Sequence, residues 1–76
     1  MAKTIQRELQ KIFNTDVKVY FNHWDREDIY VYKFKFKING IYIRVNISCD
    51  DINTKSFEIL MKDILTETIK QIQHMY

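Results

Sequence analysis

The feature that most constrains the fold is the Asn39-Gly40 dipeptide within the stretch YKFKFKINGIYIRVNIS, residues 32–48. Asparagine and glycine readily adopt the positive φ angles of a type I′ turn, which joins two antiparallel strands through two residues. Such a turn fixes the register, so Ile38 should lie opposite Ile41. The apolar pairs that follow are Phe36–Ile43, Phe34–Val45 and Tyr32–Ile47, and Tyr30 continues this face. The sequence therefore predicts strands over residues 29–38 and 41–49.

Apolar residues recur at helical spacing near both ends of the chain. Residues 4–13 carry the stripe of a short amphipathic helix, for which Thr4 is a suitable N-cap. A second stripe predicts a long helix over residues 54–75, capped by Asn53 or Thr54. The two stripes consist of Ile5, Leu9, Ile12 and Phe13, and of Phe57, Leu60, Met61, Ile64, Leu65, Thr68, Ile72 and Met75.

A third alternating segment, residues 17–22, predicts the first strand, with Phe21 on its apolar side. A charged loop at residues 23–28 (HWDRED) follows it. The element order is then α-β-β-β-α, in a single domain that spans residues 1–76. We expect an α+β fold, a three-stranded antiparallel meander with both helices on one face. Cys49 falls on the inward side of the third strand and is expected to be a buried small hydrophobe.

The face of the sheet away from the helices should be open to solvent. Its side chains are Lys18, Tyr20, Lys33, Lys35, Lys37, Tyr42 and Arg44. These include five cations and no carboxylate, and Lys35 lies opposite Arg44, where like charges disfavour the sheet. Two interpretations remain open. The lysines could simply keep a small sheet soluble, or the face could bind anionic groups, with the tyrosines supplying stacking.

The charged loop holds the only tryptophan, Trp24, beside the acids Asp25, Glu27 and Asp28. Tryptophan is enriched at interface hot spots, so an exposed Trp24 ringed by carboxylates would be a protein-binding anchor. The alternative is that Trp24 folds over the end of the core while the charges solvate the tip of a hairpin.

The residue groupings that enzymes and cofactor sites need are not found in this sequence. The only glycine belongs to the hairpin turn, so there is no glycine-rich phosphate loop. His23 and His74 lack the spacing of metal ligands, and we expect neither a metal nor a cofactor. Residues 1–13 do not read as a signal peptide, the apolar runs are too short to span a membrane, and one cysteine suits a reducing compartment. We therefore expect a cytoplasmic protein that is not an enzyme.

The α-β-β-β-α order and the length resemble those of the double-stranded RNA-binding domain. That family binds RNA through a Gly-Pro-x-His loop between its first strands and a lysine cluster at the start of its last helix. The corresponding segments here read NHWDRED and DDINTKSF, both rich in acids. The resemblance therefore implies the topology and not that family's mode of RNA binding.

The layout is also similar to that of small phage-encoded anti-CRISPR proteins, from IQRELQKIF through the central hairpin to SFEILMKDIL. The 12 isoleucines and 9 lysines have A/T-rich codons, which fits a phage or another mobile element of an AT-rich host. Anti-CRISPR proteins of this kind block a CRISPR nuclease by occupying its DNA-binding surface, with acidic residues in place of phosphates. The acids that could take this role are Asp25, Glu27 and Asp28, or Asp50, Asp51 and Glu58.

Together these features predict a small interaction protein that binds a larger host protein handling nucleic acid and inhibits or redirects it. The acidic Trp24 loop and the basic sheet face would carry the interaction. The alternative function is a nucleic-acid-binding module that uses the basic face. A homo-oligomer joined through that face is disfavoured, because a two-fold axis would double the repulsion between Lys35 and Arg44. The sequence leaves the oligomeric state open.

Overall fold

The computed structural model describes residues 1–75, which form three helices and three strands. The elements are α1 (Ala2–Phe13), β1 (Val17–Trp24), β2 (Ile29–Ile38), β3 (Ile41–Ser48), α2 (Cys49–Thr54) and α3 (Phe57–Met75). The strands form one antiparallel sheet in the order β1-β2-β3. The predicted α+β fold with a three-stranded meander is confirmed, and the short helix α2 is an addition to it.

The hairpin of β2 and β3 has the predicted register. Asn39 and Gly40 have φ angles of 48° and 83°, the positive values that a type I′ turn requires. Ile38 pairs with Ile41, and the pairs Phe36–Ile43, Phe34–Val45 and Tyr32–Ile47 follow in order. β1 pairs with the other side of β2, so β1 and β3 are the two edges of the sheet.

The core lies between one face of the sheet and the two long helices. Ile5 and Leu9 from α1, Phe34 and Ile43 from the sheet, and Ile64 from α3 have no exposed surface. α1 lies mainly on β1 and α3 on β3, so both helices cover the same face, as their apolar stripes predict. Removal of these side chains from water, at about 25 cal/mol per Å² of apolar surface, is what holds the helices on the sheet.

The amino-terminal helix begins earlier than predicted. Met1 is the N-cap residue of α1, so Thr4 lies within the helix and the assignment of Thr4 as the cap was wrong. The helix ends where predicted, at Asn14, whose φ of 49° is the left-handed conformation that commonly closes a helix.

The helix predicted over residues 54–75 is α3, which begins three residues later at Phe57, and α2 is an additional helix before it. The hydroxyl of Ser48 accepts a backbone N–H at 3.1 Å in the first turn of α2. The hydroxyl of Ser56 does the same at 3.3 Å in the first turn of α3. The assignment of Asn53 or Thr54 as the cap was therefore wrong. Apolar spacing did not reveal where these helices begin, because the side-chain hydrogen bonds of the two serines help to determine it.

The strand ends also differ from the prediction. β1 continues to Trp24, so the loop is limited to residues 25–28 rather than 23–28. β3 ends at Ser48, and Cys49 begins α2 with a half-buried thiol instead of the buried one expected. The longer first strand matters for function, because it places Trp24 on the sheet.

Candidate interaction surfaces

The open face of the sheet carries the cations that the sequence predicts. Its side chains are Lys18, Tyr20, Lys33, Lys35, Lys37, Tyr42 and Arg44, and we call this set the basic face. The register aligns Lys18, Lys35 and Arg44 in one row across the three strands. The ion pairs found within residues 1–75 all lie elsewhere, so no carboxylate neutralises this row.

Tyr42 brings two cations of the basic face together. Its side chain is 59% exposed, and the Nζ atoms of Lys35 and Lys37 lie 5.2 and 5.1 Å from the centre of its ring. The negative face of the ring attracts both ammonium groups and holds them close together. Asp16 and these three residues line a shallow cavity of about 240 Å³, so the face has one acid at its rim that the sequence analysis did not place there.

Trp24 lies on the same side of the sheet as the basic face. Tyr20 and Trp24 are four residues apart on β1, and side chains an even number of residues apart point to the same side of a strand. Their side chains are 44% and 40% exposed. Trp24, predicted to belong to a separate loop, therefore lies on the same face of β1 as Tyr20.

A second aromatic surface lies on the opposite side of the β1–β2 hairpin. The rings of Phe21 and Tyr30 stack with their centres 5.4 Å apart, and Phe21 meets the Tyr32 ring edge-on at 5.2 Å. Phe21 is 57% exposed and Tyr30 is 50% exposed. The sequence analysis expected the helices to cover both residues, and in this respect it was wrong.

Element length explains why these rings are uncovered. The 10 residues of β2 extend about 33 Å, whereas the 12 residues of α1 extend about 18 Å. α1 lies mainly on β1, and it is too short to follow the hairpin to its end. Strand length compared with helix length was the signal in the sequence that could have revealed this surface.

His23 organises the loop at the end of this hairpin. Its ring stacks on Tyr30 with the centres 4.5 Å apart. Its Nδ1 lies 2.9 Å from Oδ1 of Asp25, and its Nε2 lies 3.0 Å from Oδ1 of Asp28. Both contacts are hydrogen bonds only when both ring nitrogens carry protons. The side chains of the two aspartates are 95% and 91% exposed, so their charges face solvent.

We use the name hairpin tip for the exposed aromatic and charged residues at this end of the molecule. They are Phe21, His23, Trp24, Tyr30 and the loop residues 25–28. The tip combines three large aromatic side chains with three acids and one arginine. Trp24 and the acids were predicted as part of a binding surface, whereas Phe21 and Tyr30 were not.

The remaining acidic residues named from the sequence do not form one surface. Nζ of Lys55 lies 3.6 Å from a carboxylate oxygen of Asp51 and 3.6 Å from one of Asp63. Glu58 instead lines a groove beside α1. Within residues 1–75 no group of three or more His, Cys, Asp or Glu side chains is placed to hold a metal ion. No helix in the same range is long and apolar enough to cross a membrane.

Comparisons with models of protein families, with curated proteins and with solved structures find no match to this chain. Its function is therefore inferred from the surfaces described above.

Proposed function

We propose that the protein is a small non-enzymatic binding module that docks its hairpin tip on a larger protein and inhibits or redirects that protein. The observation that carries this proposal is the exposed stack of Phe21 and Tyr30 on one face of the hairpin end, with Trp24 exposed on the other face. Stacked aromatic rings are rigid and bury a large area on binding, which makes them suitable interface anchors.

The charges at the tip indicate the kind of partner. Asp25, Glu27 and Asp28 outnumber Arg26, and all four are exposed. An acidic tip with aromatic anchors complements a basic surface, and proteins that handle nucleic acid present such surfaces to phosphates. The proposed partner is therefore a nucleic-acid-handling protein. The resemblance to anti-CRISPR proteins makes a CRISPR nuclease the first candidate to assay.

Site-specific photo-crosslinking tests the docking of the tip. A benzophenone amino acid at position 26 should cross-link to a specific partner in a lysate of an AT-rich bacterial host. The same group at Lys11, an exposed position near the C-terminal end of α1, is the matched control and should not cross-link to that partner. An excess of unlabelled wild-type protein should reduce this cross-linking by competing for the partner, whereas an excess of a Phe21→Ser/Tyr30→Ser variant should not reduce it. Equal cross-linking from both positions, or undiminished competition by the variant, would refute docking through the tip.

The CRISPR assignment is tested separately from the docking. DNA cleavage by a guide-loaded nuclease is measured with and without a molar excess of the protein. Inhibition that the Phe21→Ser/Tyr30→Ser variant does not produce would support this partner. Unchanged cleavage would exclude the nuclease assayed, and the cross-linked protein would then identify the partner.

A second candidate function, nucleic-acid binding, is favoured by the row of Lys18, Lys35 and Arg44. Fluorescence anisotropy with single-stranded DNA, duplex DNA and duplex RNA tests it at two salt concentrations. Binding through this row should weaken with salt by a slope of about 0.7 to 0.9 in log K per neutralised phosphate. It should be lost in Lys35→Glu and Arg44→Glu and retained in Phe21→Ser/Tyr30→Ser. Salt-independent binding, or binding that both charge variants retain, would exclude the basic face.

A further inference from the structure

The free edge of β3 is open to a partner at a place separate from the hairpin tip. β3 is an outer strand, and α3 lies along it on the covered face of the sheet. Two cavities, of about 360 and 400 Å³, lie between this strand and α3. Arg44 lines the first cavity and Gln71 lines the second. Strand edge and helix thus form the two walls of a cleft.

The two-residue turn determines which backbone groups of β3 face this cleft. Its closing pair, Ile38 and Ile41, exchanges both backbone hydrogen bonds, and bonded pairs alternate with non-bonded pairs along an antiparallel hairpin. Arg44 and Asn46 both fall in non-bonded pairs. Their N–H and C=O groups therefore point away from β2, toward the open edge.

The side chain of Gln71 takes the place of a neighbouring strand at Arg44. The N–H of Arg44 donates to Oε1 of Gln71 at 3.1 Å, and Nε2 of Gln71 donates to the C=O of Arg44 at 2.7 Å. Two such bonds with one residue are what an antiparallel neighbour would make. Asn46, two residues along the same edge, has no hydrogen-bond partner for its N–H or C=O within residues 1–75. The edge therefore offers further strand-pairing groups beyond Gln71.

The helix side of the cleft is acidic next to Asn46. Asp51, Asp63 and Glu67 line this cavity with strand residues 44–47. Lys55 bridges the two aspartates, at 3.6 Å from each. Even with Lys55 and Arg44 included, carboxylates outnumber cations here. The charge favours basic side chains on whatever pairs with the edge.

We propose that the β3 edge binds an extended peptide segment with basic side chains, which adds to the sheet as a fourth, antiparallel strand. The backbone of the segment displaces the Gln71 amide from Arg44 and continues along the edge to Asn46. Every second side chain of the segment faces the acidic wall, because alternate residues of a strand point the same way. This site goes beyond the proposed function and does not depend on the hairpin tip.

A synthetic peptide of alternating valine and lysine, blocked at both ends, is the probe. Titration into ¹⁵N-labelled protein should shift the amide signals of Arg44, Asn46 and the Gln71 side chain, and leave those of the hairpin tip unchanged. N-methylation of alternate peptide nitrogens removes the donors that pair with the edge, and should lower affinity about tenfold or more. Equal affinity of the N-methylated and parent peptides, or of a valine–glutamate peptide, would overturn the proposal.

Variants of the edge give an independent test. Asn46→Pro removes the N–H that faces the cleft without removing a bond to β2, and proline is tolerated at such edge positions. It should weaken peptide binding about tenfold, whereas Asn46→Ala, the matched control, should change it less than about twofold. Asp63→Asn should weaken binding of the basic peptide and make that binding less sensitive to salt, because it removes one charge from the acidic wall. If Asn46→Pro fails to fold, as judged by circular dichroism, the N-methylated peptide and Asp63→Asn still decide the question.

A second copy of this chain is the competing occupant of the edge. Analytical ultracentrifugation at increasing protein concentration distinguishes the two cases. A monomer that binds the basic peptide supports the proposal. A dimer that Asn46→Pro converts to a monomer, with no peptide-induced shifts in the wild-type protein, would overturn it in favour of self-pairing.

Discussion

Replacement of Lys35 by glutamate should stabilise the fold. Lys35 is the middle member of the cationic row, with Lys18 opposite it on one neighbouring strand and Arg44 opposite it on the other. A glutamate at this position would convert two repulsive cross-strand pairs into two attractive ones. The wild-type residue therefore costs stability, and removal of that cost can be measured.

The size of the gain follows from the register. The Cα atoms of such pairs lie about 4.5 Å apart in a non-bonded pair, as for Lys35 and Arg44, and about 5.5 Å apart in a bonded one, as for Lys35 and Lys18. Each conversion is worth roughly 0.2–1 kcal/mol. Loss of the contact between Lys35 and the Tyr42 ring offsets about 0.5 kcal/mol of this. With both conversions near the middle of their range, the net gain should be about 0.7 kcal/mol, equivalent to a rise in Tm of roughly 3–6 °C for a domain of this size.

Urea denaturation followed by the fluorescence of Trp24 measures this gain. Lys35→Gln is the matched control, because it removes the repulsion and the contact with the Tyr42 ring without adding attraction, and it should leave stability nearly unchanged. The gain from Lys35→Glu should nearly vanish at about 1 M salt, where the Debye length is about 3 Å. A loss of stability in Lys35→Glu, or a gain that salt does not reduce, would refute the electrostatic account of the row. A stable Lys35→Glu protein that no longer binds nucleic acid would show that the wild-type charge serves binding.

Three further predictions concern the fold that supports these surfaces. Gly40→Ala should lower the free energy of unfolding by about 1 kcal/mol, because the φ of 83° is unfavourable for alanine. Crowding does not contribute, since nothing lies within 4 Å of the added Cβ. An unchanged denaturation midpoint would contradict this. Phe34→Ala should cost about 3–5 kcal/mol and leave much of the chain unfolded by circular dichroism; a cooperative transition near that of the wild type would contradict the assigned core. Ser48→Ala and Ser56→Ala should each cost about 1 kcal/mol through loss of a helix cap, and a cost below a few tenths would show that the caps contribute little.

The sheet was predictable because its determinants are local. Asn39 and Gly40 determine the turn, and the alternating residues on both sides of it agree on a single register. The starts of α2 and α3 were less predictable, since the cap hydrogen bonds of Ser48 and Ser56 mark them and apolar spacing does not. Strand periodicity therefore carried more information here than helix periodicity.

The candidate surfaces were predictable only in part. Alternation alone was enough to place Lys33, Lys35 and Lys37 on the open face. It also assigned Phe21 and Tyr30 to the correct face, but whether a helix covers that face depends on the relative lengths of α1 and β2. Those rings became visible as a surface only when the elements were assembled in three dimensions.

The position of the lysines bears on the choice between a soluble surface and a binding surface. Charges on edge strands prevent edge-to-edge aggregation, but Lys33, Lys35 and Lys37 lie on β2, the central strand. On each edge strand a glutamine side chain also occupies one residue's backbone groups. Gln6 donates to the C=O of Val17 on β1 at 2.6 Å, and Gln71 bonds both backbone groups of Arg44 on β3. Because the three lysines lie on the middle strand, protection of the edges does not explain them, and this favours the interpretation of the basic face as a binding surface.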